Sequence, residues 1–235
     1  MRNALLGALI VFATAASAQT PAERLFEAIE QGKPLVAEGL VIERAVNAGA
    51  RNAEGETPLH RAVEKGLREL AVLLLKAGAR VSARSNSGET ALHLAALHAD
   101  PWYVDLLLAA GADPRARNDD GETPLHWAAL SGNAATAQHL FARGADANLR
   151  DIRGNLPLHG AADGGDTATV QLLLKHTAEP AARNREGRSA ADVARARGHG
   201  AIGQLLAGRV VQPKPNQGFR SLDIDDPNHP RFQRY

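Results

Sequence analysis

The sequence predicts an all-α repeat solenoid, in which copies of one helical unit stack in a row. Three observations predict this fold. A hexapeptide that begins with glycine recurs every 33 residues, at Gly55, Gly88, Gly121 and Gly154, with a weaker copy at Gly187. Leucines keep the same step and form an apolar column at Leu74, Leu107, Leu140, Leu173 and Leu206. Only 4% of the residues are aromatic and 22 are glycine, which indicates thin helices joined by turns at regular places.

Each unit is expected to contain a helix, a turn, a second helix and an extended hairpin. Thr57-Pro58 is typical of a helix start, with threonine as the N-cap and proline in the first turn, where its missing N–H costs nothing. Gly132 predicts the turn between two helices, and Gly144 predicts a left-handed residue at the end of the second. One such unit cannot bury its apolar face, so stability must come from stacking.

These motifs resemble those of the ankyrin repeat family. The openings at Gly55, Gly88 and Gly121 continue as Glu-Thr-Pro/Ala-Leu-His, and the second helices end in Gly-Ala at Gly78, Gly111 and Gly144. The resemblance implies four repeats at residues 55–87, 88–120, 121–153 and 154–186. It also implies a degenerate N-terminal capping repeat at 19–54 and a C-terminal capping repeat at 187–207.

Three departures from the repeat pattern are expected to change the local structure. The first unit has about five extra residues around Pro34 to Gly39, by comparison with the spacing of later glycines. Thr177 stands where the other units have the helix-ending glycine, so that junction should be either strained or built differently. A proline-rich irregular tail follows at residues 208–235. It either packs against the last repeats, the arrangement we favour, or remains a free binding segment.

The first eighteen residues are typical of a secretory signal peptide. Arg2 is followed by an apolar run from Ala4 to Ala15, too short to span a bilayer, and Ala16-Ser-Ala18 provides small residues for cleavage after Ala18. We therefore expect a periplasmic or secreted protein that is not inserted in a membrane.

Composition excludes several classes of function. The chain has no cysteine, which excludes disulfides and cysteine-based metal sites. Cleavage would remove one of the 27 basic side chains and leave 26 against 26 acidic ones. A formally neutral protein has no net field that favours nucleic acid or anionic membranes.

The histidines of the repeated motif invite comparison with a metal site. Equivalent positions in stacked helices lie about 10 Å apart, whereas zinc ligands lie about 2 Å from the metal. The family resemblance implies instead that they are structural, together with the preceding threonines: Thr57, His60, Thr90, His93, Thr123, His126 and His159. His98, Asp100 and His139 show no ligand spacing, and no catalytic constellation stands out. We therefore expect no metal, no cofactor and no enzymatic activity.

The resemblance implies that a protein partner would be bound by the hairpin tips and the concave helix face. The candidate residues depart from the repeat pattern there or belong to an arginine series at 33-residue spacing. They are Arg84, Asn86, Ser87, Leu97, His98, Arg117, Asp119, Asp120, Trp127, Leu130, Ser131, Arg150, Ile152, Arg153 and Asp163. Trp127 and Ile152 rank first, because aromatic and apolar anchors dominate interface energies. The arginines are alternatively neutralised by neighbouring carboxylates, with little contribution to binding.

The sequence therefore predicts a monomeric, non-catalytic protein-interaction module exported to the bacterial periplasm. Two alternatives remain open at this point. One is an accessory ligand- or metal-binding protein that supports an envelope or oxidative-stress enzyme. The other is a secreted effector.

Overall fold

The computed structural model describes residues 19–43 and 46–208, so the predicted signal peptide and all of the tail after Gly208 lie outside the described residues. Twelve α-helices occur in the described part of the chain, which contains no strand, in agreement with the predicted all-α repeat fold. In chain order they are α1 Pro21–Glu30, α2 Pro34–Ile42, α3 Pro58–Glu64, α4 Arg68–Lys76, α5 Ala91–Ala95, α6 Trp102–Ala109, α7 Pro124–Leu130, α8 Ala134–Ala142, α9 Pro157–Gly164, α10 Thr167–Leu174, α11 Ala190–Ala196 and α12 Gly200–Gly208.

The helices form two layers. Odd-numbered helices pack on one another in the order α1, α3, α5, α7, α9 and α11, and each packs against the even-numbered helix that follows it. The hairpin loop after each second helix leads into the next odd-numbered helix. The odd-numbered layer and the hairpins therefore share one side of the stack.

Alanine explains how closely the first layer packs. A column at Ala62, Ala95, Ala128, Ala161 and Ala194 is fully buried. The leucine column predicted from the sequence is also buried, at Leu74, Leu107, Leu140, Leu173 and Leu206. A methyl group on one layer and an isobutyl group on the other fill the space without aromatic rings, which accounts for the low aromatic content.

The inter-helix turns use glycine where the backbone is left-handed. Gly66 and Gly132 have φ of 73° and 71°. The unit in which Ala99 replaces this glycine has the shortest first helix of the described chain, the five residues of α5. A residue with a Cβ avoids the left-handed region, so this turn is built over a longer non-helical stretch.

The junction at Thr177 is built differently from its counterparts. In the earlier units, the N–H groups of the glycine and of the following alanine donate to carbonyls in the last turn of the helix. Gly78 N–H donates to the Leu75 carbonyl, and Ala79 N–H donates to the Leu74 carbonyl. Thr177 is buried, and both its N–H and its hydroxyl donate to the Leu173 carbonyl at 2.9 Å. The following N–H, that of Ala178, donates to the Asn148 side chain at 2.8 Å.

The N-terminal unit differs most from the repeat pattern. Its extra residues lie within α2, which buries Ala37, Leu40 and Val41. The same helix leaves Leu35 80% and Ile42 65% exposed. The end of the stack therefore carries an apolar stripe on its outer surface.

Candidate functional site on the inner face

The hairpin tips form a continuous series along the stack. The N–H groups of Asn86, Asp119, Ile152 and Arg185 donate to carbonyls 32 residues earlier, at 2.8 to 3.0 Å. The Asn86 side chain adds a bond to the Ala53 carbonyl at 2.9 Å. Each loop is closed by two backbone bonds, such as Asp151 N–H to Asn155 O at 2.9 Å and Gly154 N–H to Asp151 O at 3.0 Å. The predicted hairpins are thus present as tight loops that bond to one another.

The arginine series connects these loops. A guanidinium N–H of Arg51 donates to the Arg84 carbonyl at 2.6 Å, and Arg84 does the same to Arg117. Arg117 continues to the Arg150 carbonyl at 2.5 Å, and Arg150 to that of Arg183 at 3.1 Å. The series therefore includes Arg51 and serves to join successive hairpins. Arg84 also pairs with Asp119 at 3.1 Å, with both side chains about half exposed.

The four repeated histidines form a second inter-repeat series. Each Nδ1 accepts the N–H of the residue three positions earlier at 3.1 Å. Each Nε2 then donates to a carbonyl of the next unit, 29 residues on, at 3.2 to 3.3 Å. The N-cap threonine hydroxyl bonds to the same ring, as Thr57 Oγ1 does to His60 Nδ1 at 2.8 Å. In the fourth unit Leu156 takes the threonine position and the ring geometry persists.

Burial keeps these rings neutral. Because desolvation disfavours imidazolium, the pKa values of His60, His126 and His159 lie below 6.5, and that of His93 falls to about 4. Protonation of Nδ1 would also place its new hydrogen against the backbone N–H that now donates to Nδ1, and this hydrogen bond would be lost. The neutral ring, with its proton on Nε2, is therefore the form that makes both hydrogen bonds.

An open groove of about 530 Å³ runs along the first helices and the hairpins, from Leu97 in the second repeat to Arg197 in the C-terminal capping repeat. We call it the inner groove. Five of the candidate partner-binding residues line it: Leu97, Trp127, Leu130, Arg153 and Asp163. Leu97 and Leu130 remain 47% and 50% exposed, so the groove carries an apolar surface accessible to solvent.

Trp127 is held in a fixed orientation at this groove. Its indole N–H donates to Glu122 Oε2 at 2.7 Å, and its ring meets His93 edge-on with 5.5 Å between centroids. The indole is partly buried against the first-helix layer, and the rest of its surface faces the groove. A fixed aromatic surface of this kind loses little side-chain entropy when it is covered.

The other candidate residues lie outside the inner groove. Ile152 is 46% exposed at a hairpin tip, and Asp120 accepts its N–H. His98 Nε2 donates to the Val63 carbonyl at 2.8 Å, and this hydrogen bond joins adjacent units. Those on the hairpins or turns are Arg84, Asn86, Ser87, Arg117, Asp119, Asp120, Ser131 and Arg150. Arg84 and Arg117 border a second depression of about 390 Å³ between hairpins.

Sequence reasoning missed several residues of the inner groove. Gly160, Val193 and Arg188 line it beside Trp127. Gly160 lies 33 residues after Trp127, at the same position of the repeat. The available signal in the sequence was this change from tryptophan in one unit to glycine in the next. A missing side chain matches no chemical motif, although it shapes the surface.

The described residues contain no cluster of metal ligands and no helix that could span a membrane. Within residues 19–43 and 46–208, no three His, Asp or Glu side chains converge on a point where a metal ion would bind. The three residues considered for a metal or catalytic role have separate partners: His98 bonds to the Val63 carbonyl, Asp100 pairs with Arg68, and His139 lies 2.9 Å from Asp105. Among the helices of this part of the chain, none has both the length and the apolar character that a bilayer crossing requires.

Stacked helix pairs, bonded hairpin tips and a groove along one side define a helical solenoid of the protein-binding class. The chain belongs to the ankyrin repeat family. A family model described as "Ankyrin repeats (3 copies)" matches residues 25–118 and 125–216, and one described as "Ankyrin repeats (many copies)" matches residues 103–141. The comparison with curated proteins gave no match. Ankyrin repeats indicate a module for protein–protein interaction.

Proposed function

We propose that this protein is a non-catalytic ankyrin scaffold, exported to the bacterial periplasm, that binds a protein partner through its hairpin tips and inner groove. The observation that carries the binding proposal is the accessible apolar surface of the inner groove. Leu97 and Leu130 are half exposed beside a fixed Trp127 indole. Apolar side chains grouped within a polar rim are the usual composition of a protein interface.

The hydrogen bonds of the hairpins support this role for the tips. Because each loop bonds to the next, the tips have one defined geometry before a partner arrives. A pre-organised surface loses less conformational entropy on binding. Ile152 is the large apolar residue at these tips, 46% exposed, and is the expected anchor there.

Affinity capture from periplasmic extract tests the proposed face. The bait is the mature chain, compared with the double variant Trp127→Ala/Ile152→Asp. We expect the parent to retain a partner that the variant loses. A matched control, Leu35→Ala/Ile42→Asp, changes two exposed apolar residues on the outer surface of α2 and should retain it. Equal recovery by the parent and the Trp127→Ala/Ile152→Asp bait would contradict the assignment of the face.

Export rests on the signal-like residues 1–18 of the sequence. Fractionation of cells that express the untagged chain, followed by N-terminal sequencing, tests it. We expect the periplasmic fraction to contain a protein that begins at Gln19. A cytoplasmic protein that retains residues 2–18 would contradict export.

A further inference from the structure

The inner groove has a notch at Gly160. Equivalent positions in the neighbouring first helices are Trp127 before it and Val193 after it. A Cβ built at Gly160 would meet its nearest atoms, the His126 carbonyl oxygen and Leu130 N, at 3.5 Å, which is ordinary contact. Neither crowding nor a left-handed backbone requires glycine here. No side chain at Gly160 stands between Trp127 and Val193, which both line the groove.

The charged groups around the notch are mostly paired with one another. Asp163 bonds to Arg197 at 2.5 Å, and Glu186 pairs with Arg188. The remaining acids of the groove are also engaged. Glu122 accepts the Trp127 indole N–H at 2.7 Å, and Asp151 accepts bonds from its own loop, including Asn155 N–H at 2.7 Å.

Arg153 differs from these groups. It lines the groove and is exposed, and within residues 19–43 and 46–208 its guanidinium has no hydrogen bond and no ion pair. A ligand that matches the groove therefore combines a large apolar side chain for the notch with a carboxylate for Arg153. Guanidinium binds carboxylate with two parallel bonds when both are available.

The chain carries such a segment in the sequence that follows the described residues. Residues 222–226 read Leu-Asp-Ile-Asp-Asp, in which apolar and acidic residues alternate. The described structure ends at Gly208 in α12, which packs on α11, and α11 supplies Val193 to the groove wall. Thirteen residues lie between Gly208 and Leu222, so fourteen Cα–Cα steps join them. At about 3.3 Å per residue they span up to about 46 Å, several times the spacing of about 10 Å between neighbouring helices.

We propose that residues 222–226 dock into the inner groove of their own chain, with Leu222 and Ile224 in the notch and an aspartate on Arg153. Tethering favours this occupant, because a segment of the same chain is present at an effective concentration on the order of 1 mM. Even a weak ligand is bound at that concentration. The inference holds whether or not a protein partner uses the same groove.

The test measures how accessible Trp127 is in the full mature chain. The chain has two tryptophans, so the Trp102→Phe variant makes Trp127 the only indole. In this background we compare acrylamide quenching before and after Leu222→Ser/Ile224→Ser. Releasing a docked segment should raise the quenching constant about twofold, since a bound tail shields the indole. The control Phe232→Ser/Tyr235→Ser, farther along the tail, should leave it unchanged.

Charge reversal gives a second, independent measurement. Arg153→Asp and Asp223→Arg/Asp225→Arg should each expose Trp127, and their combination should restore the shielding. The tail variants lie beyond the repeats, so an unchanged thermal midpoint is expected and excludes unfolding as the cause. Equal quenching in all variants would overturn the proposal. Shielding that decreases on dilution would also overturn it, because the occupant would then be the tail of a second copy.

Discussion

At the residue scale, glycines of one helix have different physical roles. Gly160 and Gly164 both lie in α9. A Cβ at Gly164 would lie 2.2 Å from the Leu130 carbonyl oxygen, whereas one at Gly160 would have ordinary contacts. Close approach of two first helices therefore depends on Gly164. The space beside Trp127 depends on Gly160.

This difference predicts opposite effects of the same substitution. Gly164→Ala should lower the free energy of unfolding by about 1–3 kcal/mol, the usual cost of forcing an atom into packed backbone. Gly160→Ala should raise it, by up to about 1 kcal/mol, because alanine favours helix. Urea denaturation of both variants provides the measurement. Equal destabilisation by the two would show that the contact between α7 and α9 is looser than described.

At the element scale, the hairpins are joined by the arginine series as well as by their backbone. Arg117 lies in the middle of the series and donates to the Arg150 carbonyl at 2.5 Å. Its guanidinium therefore joins two successive hairpins. A partner's carboxylate could bind Arg84, Arg117 or Arg150 only through the guanidinium N–H groups that do not already donate to these carbonyls.

Removing one member should weaken the stack. Arg117→Gln is expected to lower the free energy of unfolding by about 1 kcal/mol, the typical net value of such a hydrogen bond. Arg185→Gln, a matched change at an exposed arginine with no side-chain bond within the described residues, should alter it by less than about 0.5 kcal/mol. Denaturation of the two variants in parallel decides the matter. No loss in Arg117→Gln would mean that the bond contributes nothing in solution.

At the scale of the whole molecule, four buried histidines make the stack sensitive to acid. Their folded-state pKa values lie below 6.5, and His93 is lowered to about 4 by burial. The unfolded chain therefore takes up protons first as pH falls. Their contribution to stability is complete above pH 6.5 and is lost as pH falls towards the folded pKa values.

We expect the free energy of unfolding to fall between pH 6.5 and pH 4, by about 3 kcal/mol from His93 alone. Denaturation curves at several pH values check this. His93→Gln should be less stable at neutral pH and should lose less stability on acidification. The control His176→Gln, at an exposed ring, should keep the parent slope. A parent whose stability is constant across this range would contradict the proposed role of burial.

The sequence by itself determined the fold of the repeats. Helix starts at threonine or proline, left-handed glycines and the leucine column are local features that recur at one period, so they specify both the unit and its stacking. The departures at Ala99 and Thr177 could also be located in the sequence. How each turn is rebuilt could not, because the Asn148 amide that receives Ala178 belongs to another unit.

Only the tertiary structure decided the candidate site. Trp127 and Leu130 are visible as departures from the repeat pattern, but the groove they line also depends on Gly160, where a side chain is absent, and on Arg153, which lacks a partner among the described residues. The arginine series looks like a binding stripe in the sequence, and its donors turn out to bond backbone carbonyls of the next hairpin. The physical reason is the same in each case. Periodicity fixes which residues are equivalent, whereas contacts between units fix which groups remain available to a ligand.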